Sequence, residues 1–227
     1  MNEYMKAFHM DEAIMPDKGR QSEFIAVMER YAKKTYIPVI NFPSNAENDE
    51  KEYILAVVER LLIRQSDIQG NVANGLKYMI SETIDNITEH SESDRGFICA
   101  QAYPRKGYLD ICIADNGITL LGSYSKLADN EIESDIEAIK AANRGLSSKN
   151  LPDAENRGYG IYTSKKMLVE GLGGQYMMMS GSSGYMKSRT IDGFFDLPKN
   201  LRWHGTIVAL RIPYGNAPGF NYINYIE

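Results

Sequence analysis

One helix-forming stretch, residues 76–90, carries several groups that could bind a cation or move a proton. On an ideal helix five polar side chains share one face, spread over about 140°: Glu82, Asp85, Asn86, Glu89 and His90. Three isoleucines fall on the opposite side: Ile80, Ile84 and Ile87. An amide oxygen near a carboxylate suits a hard cation such as Mg²⁺, and a carboxylate one turn earlier could act as a general base. Asn86 is therefore a candidate metal ligand and Glu82 a candidate base, while a solvated helix face is the alternative interpretation.

A strand-like run ends at a carboxylate. Residues 108–114 alternate apolar side chains and are followed by Asp115-Asn116-Gly117. At the edge of a pocket Asp115 could accept a hydrogen bond from an amine such as N6 of adenine, and Gly117 would let the backbone approach a ring closely. The alternative is a strand that ends in an ordinary turn, because Asp, Asn and Gly are common turn residues.

A glycine-containing segment precedes a predicted helix. Residues 157–161 read Arg-Gly-Tyr-Gly-Ile. The N–H groups at a helix start bind phosphate, and glycines let the phosphate come close. Arg157 adds positive charge and Lys149 could add more. The segment is not a P-loop and lacks the full dinucleotide fingerprint, so a flexible loop that caps a helix is the alternative.

The remaining periodicity predicts the elements that would position these groups. We expect helices in residues 1–35 and over 49–65, 71–91, 131–143 and 160–170. We expect strands over 36–42, 97–103, 108–114, 175–179, 184–189 and 206–212. This predicts an α+β sandwich with helices on one face of a mixed, mostly antiparallel sheet. We divide the chain into an N-terminal extension with helices and one short strand (1–69), a main domain (70–213) and a C-terminal tail (214–227).

Composition narrows the function classes. The formal net charge of -5 disfavours a dedicated nucleic-acid binder, whose phosphate contacts require a basic excess. The N-terminal residues contain no long apolar stretch typical of a signal peptide, and no apolar run has the length of a membrane span. We therefore expect a cytoplasmic protein with no membrane partner. Cys99 and Cys112 lie in apolar runs without CxxC spacing, which favours buried reduced thiols.

The order of the motifs resembles that of a known superfamily. Glu-x-x-Asp-Asn-x-x-x-His at 82–90 is followed by Asp-x-Gly at 115–117, Arg-Gly-Tyr-Gly at 157–160 and Gly-Thr at 205–206. This series is similar to that of the GHKL superfamily, which includes gyrase B, heat-shock chaperones, MutL, histidine kinases and anti-sigma-factor kinases. The resemblance covers residues 70–213 approximately. It implies a Bergerat-type two-layer α/β sandwich that binds ATP with Mg²⁺.

The resemblance also implies a role for each matching residue. Glu82 would be the general base, Asn86 would ligate Mg²⁺, and Asp115 would read adenine. The remaining binding residues would surround the base or the phosphates: Gly117, Lys149, Arg157, Gly158, Tyr159, Gly160, Ile161 and Thr206. Residues 118–157 would form the ATP lid.

Some details resemble one branch of the superfamily more than the others. Asn-x-x-x-His-Ser, and Gly-Leu-Ser-Ser-Lys before Arg-Gly-Tyr-Gly-Ile, are similar to stand-alone bacterial regulators of anti-sigma-factor-kinase type. This implies a Mg-ATP-binding serine/threonine protein kinase or ATPase that acts on a partner protein, such as a sigma-factor regulator or a STAS-like protein. Two alternatives stay open: a non-catalytic switch in which ATP only orders the lid, and the catalytic half of a split histidine kinase. Related ATP domains often pair, so a homodimer is a further expectation.

Overall fold

The alternating strand that ends at Asp115 lies near the middle of a seven-stranded sheet. The computed structural model describes residues 3–16, 19–44, 49–66, 68–128, 131–146, 159–215 and 217–226. Its strands are β1 (Tyr36–Pro43), β2 (Arg95–Tyr103), β3 (Tyr108–Asp115), β4 (Gln175–Gly181), β5 (Ser183–Lys187), β6 (Asp192–Asp196) and β7 (Trp203–Pro213). Their spatial order is β1-β2-β3-β7-β4-β5-β6. The last strand in sequence is therefore inserted between β3 and β4.

Seven α-helices accompany the sheet in the described part of the chain. They are α1 (Glu3–Ala7), α2 (Gln21–Glu29), α3 (Asp49–Ser66), α4 (Gly70–His90), α5 (Leu120–Tyr124), α6 (Asp135–Asn143) and α7 (Tyr159–Lys166). A π-helical turn, Met167–Gly171, continues α7, and a 3-10 helix spans Tyr222–Tyr225. Helix α3 packs on β1 and β2, α4 on β3, and α6 on β4, β5 and β6. The chain is thus α+β, as the sequence predicts.

All six pairings between the seven strands are antiparallel, although the sequence predicted a mixed sheet. A parallel contact occurs only as the isolated bridge between Ile14 and Ile40, within the described residues. Three of the pairings have a local reason: β2–β3, β4–β5 and β5–β6 are each joined by short links, which permit only antiparallel neighbours. The predicted mixed character is therefore wrong for the described strands.

The β2–β3 hairpin shows why one face of the sheet is buried. Residues along β2 alternate between buried and half-buried positions, and β3 follows the same pattern up to its last residues. Tyr103 pairs with Tyr108 across a tight turn in which Gly107 has φ +74°. The two cysteines, Cys99 and Cys112, lie directly opposite each other and are free and half-buried.

The segment before residue 70 contributes to the same core as the rest of the chain. Strand β1 pairs with β2, and the backbone N–H of Ile14 donates to Val39 O at 2.9 Å. One hydrophobic cluster includes Phe24 of α2, Ile54 of α3 and Phe220 near the C-terminal end. The division at residue 70 stays a prediction, and the sheet it would separate is continuous.

Several elements differ locally from the sequence prediction. The helix predicted over 131–143 begins only at Asp135, and α5 was not predicted. The helix predicted over 160–170 is α-helical only as far as Lys166 and then widens into the π-helical turn. The strand predicted over 184–189 ends at Lys187, and β6 (Asp-Gly-Phe-Phe-Asp) pairs beside it. Asp and Gly are depleted in strands whereas Phe is enriched, so the sequence preference of β6 is mixed, and pairing with β5 supports the strand.

Among the described residues, none of the helices combines the length and the apolar character that crossing a bilayer requires.

Candidate functional site

A cleft opens between α4, the α5–α6 segment, α7 and strands β3, β7 and β4. The empty space between its walls, including the part open to solvent, is about 1080 Å³. Six residues predicted from the sequence line it: Glu82, Asn86, Asp115, Gly160, Ile161 and Thr206. The fold therefore brings together residues from four separate segments of the chain.

Asp115 provides a buried carboxylate at the end of β3, where it is only 2% exposed. Its Oδ1 accepts from Gly117 N at 2.9 Å, and its Oδ2 accepts from Thr206 N at 3.0 Å. Burial raises the pKa of Asp115 to about 6, although the two backbone N–H groups oppose this shift. The carboxylate is thus largely ionised at neutral pH. It retains acceptor capacity for a ligand amine, since a carboxylate has about four lone-pair sites.

The start of β7 holds this carboxylate in place. Gly205 has φ +97°, and a Cβ there would lie 2.3 Å from Asp115 Oδ1. Thr206 Oγ1 lies 3.2 Å from Ser180 Oγ, and Trp203 Nε1 donates to Asp115 O at 3.0 Å. Glycine is required at 205 by both the backbone conformation and the close approach. The Gly-Thr pair therefore orients the carboxylate.

Gly117 lies against protein backbone, whereas the sequence predicted that it would lie beside a ligand ring. A Cβ at 117 would lie 1.9 Å from Ser91 O and 2.9 Å from Ser93 N. The next residue, Ile118, donates its N–H to Ser91 O at 2.6 Å. Gly117 is thus needed where the end of β3 packs against the end of α4, and it fixes the sheet relative to the helix.

The polar face of α4 forms the opposite wall. The predicted isoleucine stripe is buried, with Ile80, Ile84 and Ile87 each at most 5% exposed. All five polar residues of the predicted face line the cleft: Glu82, Asp85, Asn86, Glu89 and His90. Asp85 and Glu89 are exposed and the other three are half-buried, so the face borders both the cleft and solvent, and its role in binding stays a prediction.

Glu82 and Asn86 are linked through the helix backbone. Asn86 Nδ2 donates to Glu82 O at 2.6 Å. This bond commits the amide nitrogen and makes the amide oxygen the atom that can ligate a cation. Asn86 can therefore supply one oxygen to Mg²⁺, which typically takes one or two protein ligands together with phosphates and waters.

The Glu82 carboxylate lies against the first turn of α7. A Cβ at Gly160 would come 2.0 Å from Glu82 Oε2. One turn before Glu82, the Tyr78 hydroxyl donates to the same carboxylate and accepts from Thr163. Burial, and then the Glu82 charge, raise the pKa of Tyr78 to about 12. Tyr78 therefore stays protonated and holds Glu82 beside the start of α7.

The described wall is negatively charged. Four carboxylates line the cleft, from Glu82, Asp85, Glu89 and Asp115, and the described lining residues include no lysine or arginine. No group of three or more His, Cys, Asp or Glu side chains in the described ranges could hold a metal by itself. An anionic ligand would therefore need its own cation or positive charge from elsewhere in the chain.

The α5–α6 segment closes one side of the cleft. Tyr124 is buried, and its hydroxyl donates to Leu146 O at 2.5 Å. Thr119 caps α5 by accepting from Gly122 N at 3.2 Å. Together with Ala138, Ala141 and Ala142, Tyr124 forms a small core of its own. This part of the predicted lid thus has a small core of its own, and through α6 it also packs on the sheet.

Three of the predicted phosphate-loop residues lie outside the described residues: Lys149, Arg157 and Gly158. Tyr159 is the first residue of α7, and Ile161 packs against both hydrophobic clusters. The roles of these residues in binding stay predictions.

Comparisons with known proteins add no family assignment. No protein-family model matches the chain, and no curated protein sequence matches it either. The residues that line the cleft, and their geometry, are therefore the basis for a functional conclusion.

Two residues that line the cleft, and one that supports it from outside, were not predicted. Tyr176 and Ser164 line the cleft at buried positions, and Tyr78 supports Glu82 from outside it. A signal for Tyr78 was present, because residues four apart share a helix face. Tyr176 gave none, since an aromatic residue in an apolar strand is an ordinary core residue.

Proposed function

We propose that this chain is a Mg-ATP-binding regulator of the GHKL superfamily, of anti-sigma-factor-kinase type, with a Bergerat-type fold. It would transfer the γ-phosphoryl group to a serine or threonine of a partner protein or to water. One observation carries the proposal: the four predicted motif segments converge on one cleft, with a clamped carboxylate at Asp115 and a base–amide pair at Glu82 and Asn86. The antiparallel sheet with helices packed on it is compatible with that fold.

At the base end of the site, Asp115 would select the ligand. Its two oxygens are fixed by Gly117 N and Thr206 N, so a further donor must approach from the cleft. An exocyclic amine of adenine meets this requirement. A carbonyl oxygen at the same position of the base would face the ionised carboxylate without a proton to share and would be rejected.

At the phosphate end, Glu82 would act on the nucleophile. As the hydroxyl or water attacks the γ-phosphorus, its proton passes to the Glu82 carboxylate and ADP leaves. Tyr78 and Gly160 restrict where this carboxylate can lie. Phosphoryl transfer depends mainly on positioning and charge stabilisation, so this restriction is the contribution that these residues make.

Mg²⁺ would be held by Asn86 Oδ1 together with phosphate oxygens. When bound, it would neutralise charge on the phosphates, which the acidic described wall does not do. Positive charge from Arg157 and Lys149 is expected to add to this effect. The partner protein is the phosphoacceptor in this proposal, and a homodimer is a candidate assembly.

The reaction is tested by following the γ-phosphate. The protein is incubated with γ-labelled Mg-ATP and with the proteins that co-purify with it. Label on serine or threonine supports the kinase, and free phosphate alone supports the ATPase. Label on histidine would instead indicate the catalytic half of a split histidine kinase.

Matched variants separate catalysis from binding. Glu82→Gln should abolish transfer or hydrolysis, whereas Glu89→Gln, two turns along the same cleft-lining face, should not. ATP binding should survive in both. If Glu82→Gln retains wild-type turnover, Glu82 is not the base.

A non-catalytic switch is the second candidate, favoured by the packing of the α5–α6 segment. The Tyr124–Leu146 hydrogen bond ties the start of that segment to its end, and the segment lines the cleft between its own small core and the sheet. Ligand contacts with such a unit could change its position and so alter a partner's affinity. Neither transfer nor hydrolysis in the labelled-ATP experiment, with ATP binding intact, would select this candidate.

A further inference from the structure

Cys99 and Cys112 face each other across the β2–β3 hairpin. They are direct register partners, and neither belongs to the described lining of the cleft. Directly opposite residues of an antiparallel pair have Cα atoms about 4.5–5.5 Å apart. A disulfide requires a Cα separation of about 4.4–6.8 Å, so this register meets the requirement without a shift of either strand. The two sulfurs are therefore placed where they can react with each other.

The alternation along both strands shows which face of the sheet carries the pair. Ile113, the next residue of β3, lines the cleft, and Ile98 and Ile111 are buried in the core. Because successive side chains of a strand point to opposite faces, the two cysteines project from the other face. Both are free, and neither is fully buried. The pair thus lies at the outer surface of the sheet and not in the core.

The neighbouring strands do not place a large registered side chain beside either sulfur. Cys112 is registered with Ala209 of β7, whose side chain is a single methyl group. On the other side, the register of β1 against β2 shifts between Ile37 and Ile40. Within the described strands, no residue of β1 is therefore registered opposite Cys99.

The two thiols share a hydrogen bond, which makes them chemically unequal. This bond lowers the pKa of Cys112, whereas the same bond, followed by burial, raises the pKa of Cys99. The thiolate is the reactive form of cysteine. In such a pair Cys112 is the attacking thiol, and Cys99 is the resolving thiol that completes the reaction.

We propose that Cys99 and Cys112 form a reversible redox site that low-molecular-weight disulfides such as oxidised glutathione convert to an intramolecular disulfide. The Cys112 thiolate attacks one sulfur of the small disulfide, so a mixed disulfide forms and the first small thiolate leaves. The Cys99 thiol then gives up its proton, and its sulfur attacks Cys112 Sγ and expels the second small thiolate. The two cysteines lose two electrons in total, and one small disulfide is reduced to two thiols.

This site goes beyond the proposed nucleotide function, since the reaction needs neither ATP nor the cleft. The chain contains only these two cysteines, so any intramolecular disulfide must join them.

The first experiment follows the mass of the reduced chain during incubation with oxidised glutathione in native buffer. The wild type should lose the mass of two hydrogen atoms and stay monomeric on a non-reducing gel. Dithiothreitol should then restore the starting mass. An unchanged mass, or a glutathione adduct that persists on the wild type, would overturn the inference.

The single variants Cys99→Ser and Cys112→Ser are the matched controls. Cys99→Ser should stop at a stable glutathione adduct, because no resolving thiol remains. Cys112→Ser should form its adduct more slowly, since its remaining thiol is the one that stays protonated. Equal rates for the two variants would contradict the roles assigned to the two thiols.

The second experiment asks whether the fold brings the thiols together. The equilibrium ratio of disulfide to dithiol is measured in a glutathione redox buffer, with and without enough urea to unfold the chain. Folding favours a disulfide that fits the native structure to the same extent as the disulfide stabilises the fold. The native ratio should therefore exceed the unfolded ratio by at least about tenfold. An equal or higher ratio in urea would overturn the inference, because the bond would then belong to unfolded chains.

Discussion

The backbone of Gly205 lies directly against the carboxylate of Asp115. A Cβ at 205 would be 2.3 Å from Asp115 Oδ1 and 2.4 Å from its carbonyl oxygen. The next residue, Thr206, donates its N–H to Asp115 Oδ2 at 3.0 Å. The end of β3 and the start of β7 thus form one fixed unit, and the carboxylate has a single orientation toward the cleft.

Gly205→Ala should therefore be strongly destabilising. The positive φ alone costs about 1–2 kcal/mol for alanine. Displacing a buried carboxylate from its backbone donors adds about 1–3 kcal/mol. We expect the free energy of unfolding in urea to fall by about 2–5 kcal/mol.

Gly215→Ala is the matched control for this variant. Gly215 has φ +109°, and a Cβ there would meet nothing within 4 Å. It should lose only the conformational cost of about 1–2 kcal/mol. Equal losses for the two variants would show that the contact with Asp115 contributes nothing.

Gly160→Ala should impair turnover more than binding. The new Cβ would displace Glu82 Oε2, which lies 2.0 Å from its position. A misplacement of about 1 Å can cost roughly 100-fold in rate, so we expect a loss of that order in phosphate release or transfer. The affinity for ATP should change by less than about fivefold, since binding also depends on Asp115. Gly193→Ala on β6, where a Cβ meets nothing within 4 Å, should turn over like the wild type.

The stability of the protein should depend on the titration of Asp115. Its folded-state pKa is about 6, above the ordinary value of 3.8, because burial disfavours the charge. Below both values the group is protonated in both states and has no effect. As the pH rises from about 4 to 6, the unfolded chain releases the proton and the folded chain retains it. Folding then loses roughly 3 kcal/mol, and this loss persists at higher pH.

Urea unfolding of the wild type and Asp115→Asn across this pH range measures the effect. Asparagine does not titrate, so the wild type should lose stability with rising pH relative to the variant. The asparagine amide has only one acceptor oxygen, so the variant is less stable by the same amount at every pH. That constant loss does not change how the stability difference depends on pH. Parallel curves would mean that Asp115 is not shifted upward.

The affinity for an amine-bearing ligand should also depend on the titration of Asp115, but it should rise as the pH rises. An amine donor binds the ionised carboxylate, so affinity should fall about tenfold for each pH unit below about 6 and be flat above 7. Adenosine is the suitable probe because the phosphate of a nucleotide itself titrates near pH ~6. A pH-independent affinity for adenosine would place the amine elsewhere.

Removal of Mg²⁺ should weaken ATP binding and leave adenosine binding unchanged. The described cleft wall carries four carboxylates without lysine or arginine, so the phosphates need a counter-charge. With a chelator present, we expect the ATP affinity to fall by more than about tenfold. In Asn86→Ala this Mg²⁺ effect should shrink. An unchanged ATP affinity without Mg²⁺ would contradict the metal assignment.

Local periodicity predicted much of this fold. The isoleucine stripe of α4 and the alternation along β2 and β3 follow from a single buried face, which the sequence displays directly. Asp115 was predicted because a carboxylate that ends an apolar strand is visible in sequence. The π-helical end of α7 and the strand β6 were not predicted. The conformation of each depends on residues that pack or pair with it, and its own sequence does not display those contacts.

The support of the site was not predictable in the same way. Gly205 and Asp115 meet only because β7 is inserted beside β3, and no local pattern encodes that insertion. The positions of Ser164 and Tyr176 on the cleft wall likewise depend on the fold, which brings α7 and β4 to the same cleft. The order of the sequence motifs identified the candidate ligand-binding residues. The contacts that position those residues could be seen only in the folded structure.

The most direct test of the nucleotide site compares ATP with ITP on the wild-type protein. The two ligands differ where the amine of adenine is replaced by a carbonyl oxygen, which would face the Asp115 carboxylate. Calorimetry at neutral pH with Mg²⁺ should show ATP binding at least about 100-fold more tightly than ITP. Absence of ATP binding, or equal affinities for ATP and ITP, would contradict the assignment of this cleft as an adenine-nucleotide site.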